Sequence, residues 1–389
     1  MSMSIYILNG SRTPVGSFLG TLSSMEVTDL GAHSIKNTLN RTGIAADEID
    51  EVFMGHVVQA GSGQAPCRQA VIKAGLPKSI PCTTINKVCG SGMQSVISAI
   101  QSIKAGDNQI CLAGGMESMS KAPHLLPGTR GGIKYGDASL QDSLQVDGLW
   151  DVYNDQAMGV CAEKCVEKYS FSREELDEVA IESFRRSQKA QDDNVFEKEI
   201  APVEIKSRKK VISVTEDEGP KKAIFEKIPT LRPTFQKDGK ITAANSSTIN
   251  DGAASVIIGG DSIKDKAMFK IVGYANHAQD PLWFTTAPIE SAKKCLKKAN
   301  LQINQIDLFE VNEAFAAVAL AYVRELELDK EKVNIYGSGI SLGHPIGASG
   351  TRILMSLMTG LERENKKYGM ASICIGGGEA LSIIIEKIK

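Results

Sequence analysis

No apolar run in this sequence approaches the length of a membrane-spanning helix, so no membrane role is expected. Charge excess is missing too: 44 Lys and Arg face 46 Asp and Glu, a formal net charge of −2. A near-neutral chain has no basic field to hold nucleic acid, so DNA or RNA binding is disfavoured. The N-terminus, MSMSIYILNGSRTPVG, lacks a basic segment followed by a long apolar one and does not read as a signal peptide. It is not an Arg-rich transit helix either; SIYILNG reads directly as a strand. Histidine is scarce, with five residues. Cysteine is not, with eight, but no CxxC pair occurs and no histidine lies near Cys161 and Cys165, so no metal site is expected. Cysteines scattered along so long a chain suggest a reducing compartment, taken as the cytoplasm, with most thiols packed as small hydrophobes. A cysteine offered as a nucleophile has to beat that reading.

At 42% hydrophobic and 23% charged residues, the rest of the composition is that of a globular protein. Its length suits two or three packed units. The informative feature is an internal repeat. MEVTDLGAHSIKNTLNRTGIAADEIDEVFMGHVVQAG gives an amphipathic helix, a turn and a strand, and TAPIESAKKCLKKANLQINQIDLFEVNEAFAAVA gives the same order. Downstream, CGSGMQSVISAIQSIKAGDNQICLAGGMES aligns with IGASGTRILMSLMTGLERENKKYGMASICIGGGEALS. On that alignment Cys111 and Cys374 fall at the same place. Alternating strands and helices predict α/β layering, and duplication predicts two similar halves related by a pseudo-twofold. The equivalent turns would then face one site.

A different segment, about 119–248, separates the halves. It holds a predicted helix, SREELDEVAIESFRRSQKAQDD, opened by a capping box of Ser172 and Glu175. It also carries a basic cluster, Arg185, Arg186, Arg208, Lys209 and Lys210. This segment reads either as a solvated insertion or as a lid over the polar end of a substrate.

Among the histidines, His344 stands out, in SLGHPIGASG at the mouth of the second repeat; His56, in FMGHVV, reads as a core residue. The matching turn in the first repeat, NKVCGSGMQS, carries Cys89. If the halves pack symmetrically, Cys89 and His344 face each other. A Cys–His pair serves covalent acyl transfer, since an adjacent base or helix N-terminus activates the thiol. Cys374, before IGGGEA, suits a general acid/base beside backbone N–H donors. Asn312, in EVNEAFA, can fix a water or polarise a carbonyl.

Together NKVCGSGMQS, CLAGGMESMS, ITAANSSTINDGAAS, VNEAFA, SLGHPIGASGTR and CIGGGEA resemble the thiolase family, from residue 4 to the C-terminus. LRPTFQKDGKITAANSSTINDGAAS and LELDKEKVNIYGSGISLGHPIGASG look most like its short-chain, acetyl-CoA acetyltransferase branch. The resemblance implies two βαβαβαββ-type halves, each with a five-stranded sheet, in a layered α-β-α-β-α arrangement plus an inserted loop domain. The halves would be 1–118, completed by about 249–268, and 269–389; residues 119–248 would be the loop domain covering coenzyme A. The implied activity is reversible condensation of two acetyl-CoA to acetoacetyl-CoA and CoA, by a ping-pong route through an acyl-Cys89 thioester. His344 would activate Cys89, and Cys374 would move the α-proton. A water held by Asn312, together with His344, would form one oxyanion hole, and the N–H groups of Cys89 and Gly376 the other. Ala243 and Ser247 would lie along the pantetheine tunnel, lined by Leu149, Met158, Phe284, Ala314 and Phe315. Lys221 would stand near the adenine–phosphate end. A homotetramer, a dimer of dimers, is the implied assembly.

Three departures from the family pattern are visible. Ala157, in DQAMGV, stands where short-chain members carry a histidine, which leaves room for a longer or branched acyl group. Phe184 stands where the potassium-binding branch has a tyrosine, leaving only the carbonyls of Ala243, Ala244, Ser246 and Ile340 as ligands. No cofactor beyond the CoA thioester substrates is therefore expected. Glu379 follows the glycines where smaller or uncharged residues are usual. The alternatives are a degradative 3-ketoacyl-CoA thiolase of broader chain length and a non-catalytic acyl-CoA-binding relative.

Overall fold

The computed structural model describes residues 3–206 and 210–389. Arg208 and Lys209 of the basic cluster lie outside the described residues. The first half runs β1 (Ile5–Arg12), α1 (Val27–Thr42), β2 (Glu51–Gly55), α2 (Pro66–Lys73), β3 (Cys82–Ile85), α3 (Ser91–Ala105) and β4 (Ile110–Ser118). The intervening segment contains α4 (Met158–Tyr169), α5 (Arg173–Asp192) and a hairpin of Val203–Lys206 with Val211–Val214. Ser172 and Glu175 cap α5 reciprocally, as the sequence predicts. The chain then enters β5 (Asn250–Gly259), β6 (Phe269–Ala278), α6 (Ala287–Ala299), β7 (Leu308–Val311), α7 (Ala316–Glu325), α8 (Ile346–Arg363), β8 (Tyr368–Ile375) and β9 (Glu379–Lys387).

The strands follow one hydrogen-bonded path, β7-β8-β9-β6-β1-β5-β4-β2-β3. Its midpoint is the short antiparallel junction of β1 with β6, where Ile5 faces Ile271 and Ile7 faces Phe269. That junction lies on the pseudo-twofold, so each strand on one side has a counterpart on the other. The second half differs at its edge: where β3 closes the first, only a single parallel bridge, Phe309 with Val333, follows β7.

The ladder register corrects one expectation. Cys111 stands opposite Ile258, whereas Gly369 stands opposite the equivalent Ile385. Cys374 stands opposite Ala380, the counterpart of Ala253, which faces Met116. Cys374 is thus the twin of Met116, and Cys111 of Gly369. The resemblance of ICLAGGMES to ICIGGGEALS misaligns the strands by five residues, because both are apolar runs ending in glycine. By the same register Asn312 is the twin of Gly55, and Glu313 of His56.

Helices α1 and α2 cover the outer face of the first half, and α6 and α7 that of the second. Helices α3 and α8 pack on each other between the two halves. Every residue of α8 from Ile346 to Leu361 is buried, as a helix with sheet or helix on all sides requires. Its Ile353, Leu354, Leu357 and Leu361 join Val96, Ile100 and Ile103 of α3 in one core with Ile258, Ile373 and Ile383. This centre fixes the relative position of the turns at the N-termini of α3 and α8. The insertion is tied to β1 by a buried fork: Arg12 Nε donates to Glu199 Oε2 at 2.7 Å and Nη1 to Asp217 Oδ1 at 2.7 Å.

Candidate active site

Cys89 sits in the tight turn between β3 and α3. Val88 adopts φ +47°, rare for a β-branched residue, and strain of this kind costs about 1–3 kcal/mol. The turn is held by Asn86 Oδ1, which accepts from Val88 N–H at 3.1 Å, and by Ser91 Oγ, which accepts from Lys87 N–H at 2.8 Å. Gly90 packs closely on the second half: a Cβ there would lie 2.4 Å from Ile375 Cδ1, so the Ile375 side chain would have to shift. The Cys89 thiol meets the backbone N–H groups of Gly376 and of Cys89 itself. Burial outweighs these donors and pushes its pKa up to about 11. The resting thiol is therefore protonated near neutrality and needs a base.

His344 lines the same cavity as Cys89. Gly343, at φ +102°, delivers it; a Cβ at this position would be both strained and 2.7 Å from the Asn250 amide. Asn250 Oδ1 accepts from His344 N–H at 2.9 Å. Ring atom Nδ1 lies 2.5 Å from Ser349 Oγ, whose own hydroxyl donates to Pro345 O at 2.8 Å. With the Ser349 proton already committed, Nδ1 must carry the hydrogen of that contact. Nε2 is left with its lone pair, and Asn312 Nδ2 stands 3.4 Å from it. Burial, reinforced by the positive charge of Arg352, lowers the His344 pKa to about 3, so the ring is neutral.

Cys374 and Asn312 lie behind these groups, both with no exposure. Burial and the neighbouring Cys89 raise the Cys374 pKa well above its ordinary value. The Asn312 N–H donates to Ser372 O at 3.0 Å, which fixes it to β8. Glu313 braces the same loop, accepting from Ser183 Oγ at 2.7 Å, Asn334 Nδ2 at 2.8 Å and Ile340 N–H at 3.3 Å.

One carboxylate at the site was not anticipated from sequence. Glu117, at the end of β4, accepts from the N–H groups of Val57 at 3.1 Å, Val58 at 3.2 Å and Gly347 at 2.9 Å. It thereby joins the loop after β2 to the first turn of α8, beside His344. His56 Nε2 lies 3.3 Å from it, and burial lifts the Glu117 pKa to about 7. A carboxylate inside the otherwise apolar run CLAGGMES was the available signal.

A cavity of about 590 Å³ opens onto Cys89, His344 and Gly376. Leu149, Met158, Ala243, Ser247, Phe284, Ala314 and Phe315 line it, with Phe235 and Met119. Phe315 packs edge-on against both Phe235 and Phe284, at centroid distances of 6.0 and 6.2 Å. Lys221 does not reach this cavity: its ammonium pairs with Glu216, and the adjacent Lys222 lines the wall instead. Arg186 is likewise committed, to Glu182 at 2.7 Å and Glu331 at 3.0 Å. Ala157 caps α4 and lets Met158, not itself, form the wall. Phe184, Ala243, Ala244 and Ile340 border a smaller neighbouring cavity of about 280 Å³. The Phe184 ring offers no oxygen there, so these residues do not fit a complete potassium site. Among the described residues no cluster of His, Cys, Asp or Glu could hold a metal ion, and no helix is long and apolar enough to cross a membrane.

A cysteine on a strained turn, a neutral histidine with an unprotonated Nε2 and backbone donors lining an apolar cavity define an acyl-transfer enzyme on a duplicated α/β scaffold. The particular family follows from comparison. Residues 5–262 match the thiolase N-terminal domain and residues 265–387 the thiolase C-terminal domain, so the chain belongs to the thiolase family. It is 47% identical over 388 residues to an acetyl-CoA acetyltransferase of Yarrowia lipolytica, spanning 99% of this chain and 96% of the relative. The crystal structure of a Bacillus anthracis acetyl-CoA acetyltransferase superposes with a TM-score of 0.97 at 37% identity, over 100% of this chain and 99% of that one. The Acat5 thiolase of Ascaris suum, in complex with coenzyme A, superposes with a TM-score of 0.94 at 44% identity, over 99% and 100%.

Proposed function

We propose that this chain is an acetyl-CoA C-acetyltransferase, working reversibly by a ping-pong route through acyl-Cys89. The observation that carries the reading is the opening of one largely apolar cavity onto Cys89, His344 and Gly376. Full-length similarity to proteins of that name supports the substrate.

In the first half-reaction His344 Nε2 takes the Cys89 proton and the thiolate attacks the acetyl-CoA carbonyl. The N–H groups of Cys89 and Gly376 receive the oxyanion; such a donor is typically worth about 3 kcal/mol of barrier. CoA leaves as its thiol, taking the proton back from His344. In the second, Cys374 passes its proton to His344, and its thiolate removes the α-proton of a second acetyl-CoA. The protonated Nε2 and Asn312 hold the enolate oxygen. The enolate carbon attacks acyl-Cys89, acetoacetyl-CoA departs, and the Cys89 thiolate recovers its proton from His344. Residues 119–248 would cover the coenzyme A, with Ala243, Ser247 and the apolar wall along the pantetheine arm and Lys222, in place of Lys221, toward the phosphates. A cytoplasmic homotetramer completes the proposal.

A second reading, a thiolase of broader chain length, is favoured by Ala157. With no histidine ring at that position, the wall is left to flexible Met158 and Leu149. Thiolysis rates with acetoacetyl-CoA, 2-methylacetoacetyl-CoA and a six-carbon ketoacyl-CoA separate the two. Strong preference for the four-carbon substrate supports the acetyltransferase; equal or better turnover of six carbons supports the broader enzyme; no thiolysis of any overturns both.

A further inference from the structure

We propose that Cys82 and Cys67 form a redox-sensitive thiol pair, separate from the catalytic cysteines, which a hydroperoxide closes into a disulfide. Cys82 opens β3, the outermost strand of the first half. Cys67 lies in the first turn of α2, and its N–H donates to Thr84 Oγ1, two residues along β3 from Cys82, at 3.0 Å. The Cys67 sulfur is 3.5 Å from Val52 O, and Val52 is the ladder partner of Cys82. The Cys67 thiol donates to Val52 O and the Cys82 thiol to Ile80 O at 3.3 Å, and the two side chains pack in the same core cluster. Cys67 is fully buried, while Cys82 is partly exposed.

Arg68, next to Cys67, is fixed over Cys82. Its Nη1 is 3.9 Å from the Cys82 sulfur and donates to Ile80 O at 2.6 Å, and its Nη2 donates to Lys78 O at 2.5 Å. The opposing charge is Glu51 on β2, which accepts from Asn108 Nδ2 at 2.9 Å. The neighbouring Cys67, followed by Arg68, holds the Cys82 thiol down to about 7 against burial and Glu51. Its neighbour Cys67 is pushed well up, first by Cys82 and then by burial. Burial raises Cys89, Cys161 and Cys165 to about 11 and Cys111 and Cys295 to about 12. Cys82 is therefore the cysteine whose thiol is drawn down, beside Arg68 and with Cys67 packed in the same cluster as the resolving thiol.

The chemistry balances with a hydroperoxide as oxidant. The Cys82 thiolate attacks the peroxide oxygen; an S–O bond forms, the O–O bond breaks, and the alcohol leaves with a proton from solvent. Cys67 then attacks the Cys82 sulfur; the S–S bond forms, the S–O bond breaks, and hydroxide leaves as water with the Cys67 proton. Two thiols lose two electrons, which the peroxide gains. The bond would pin α2 to the strand that leads into the Cys89 turn.

The test uses the native enzyme at neutral pH with about one equivalent of hydrogen peroxide, followed by alkylation and tryptic mass mapping without reductant. The expected product joins peptide 42–68 to peptide 79–87, and appears while peptide 88–104, with Cys89, remains fully alkylatable. Cys67→Ser should leave a Cys82 sulfenic acid that dimedone traps, and Cys82→Ser should leave Cys67 reduced. Oxidation of Cys89 while Cys82 stays alkylatable would overturn the proposal, as would oxidation of Cys67 in the Cys82→Ser protein.

Discussion

Lys87 and Glu379 form an ion pair that bridges the two halves at the active site. Lys87 lies two residues before Cys89, and Glu379 three residues after Gly376. The pair therefore links the two backbone segments whose N–H groups face the Cys89 sulfur. It gives a structural account of the acidic residue after the glycines. Partly exposed ion pairs of this kind contribute about 0.2–1 kcal/mol. Lys87→Met or Glu379→Gln should therefore slow Cys89 acylation about two- to fivefold, and the double variant should be no worse than the poorer single one. Additive losses would show that the residues act separately.

Removing the second thiol should split the half-reactions. Cys374→Ser keeps the volume and removes an acid/base group, which typically contributes 10²–10⁴-fold. Acetylation of Cys89 should stay within a few-fold of the parent, while acetoacetyl-CoA formation falls by about two to four orders of magnitude. Equal loss in both steps would assign Cys374 to acylation as well.

The pH profile follows from the two buried groups. His344 has a pKa lowered to about 3, below its ordinary 6.5, so it remains a neutral base well into the acid range. Cys89, raised to about 11, remains a thiol across neutrality. Acylation should show no acid limb near pH 6.5, and Cys89 alkylation by iodoacetamide should keep accelerating toward pH 11. A plateau in alkylation below pH 8 would instead mean a resting thiolate–imidazolium pair.

Much of this site was legible because its motifs are local. Cys89 and His344 each sit in a small-residue turn before a helix, a pattern visible in NKVCGSG and GHPIGASG. The apolar lining from Leu149 to Phe315 came from resemblance to a family, since nothing in periodicity points seven scattered residues at one cavity. Neighbouring lysines could not be told apart: Lys221 and Lys222 share a short 3-10 turn, and only three-dimensional context turns one to Glu216 and the other to the cavity. The Lys87–Glu379 pair spans 292 positions, beyond any local pattern. The five-residue slip between Cys111 and Cys374 has another cause. Strand register is set by ladder partners and the face each side chain takes, and two glycine-ended apolar runs match in composition at several offsets.

The insertion should depend on the buried fork at Arg12. Its guanidinium is 1% exposed and joins Glu199 to Asp217, whose Oδ1 also accepts from Val15 N–H at 2.7 Å. Burial opposes the Arg12 charge, but the two carboxylates outweigh it and leave its pKa raised. Arg12→Met would strand two buried carboxylates, a loss of about 3–5 kcal/mol, and Arg12→Lys should recover little because an ammonium cannot form the fork. Urea denaturation measures both; a loss below about 1 kcal/mol for Arg12→Met would contradict the pairing.

The central claim is that Cys89 carries the acyl group. The enzyme is mixed with acetyl-CoA, quenched in acid within a turnover, and digested for mass measurement of peptide 88–104. Cys89 should gain one acetyl group, discharged by added CoA and absent from Cys89→Ala. An unmodified Cys89 peptide from protein that still forms acetoacetyl-CoA would contradict it.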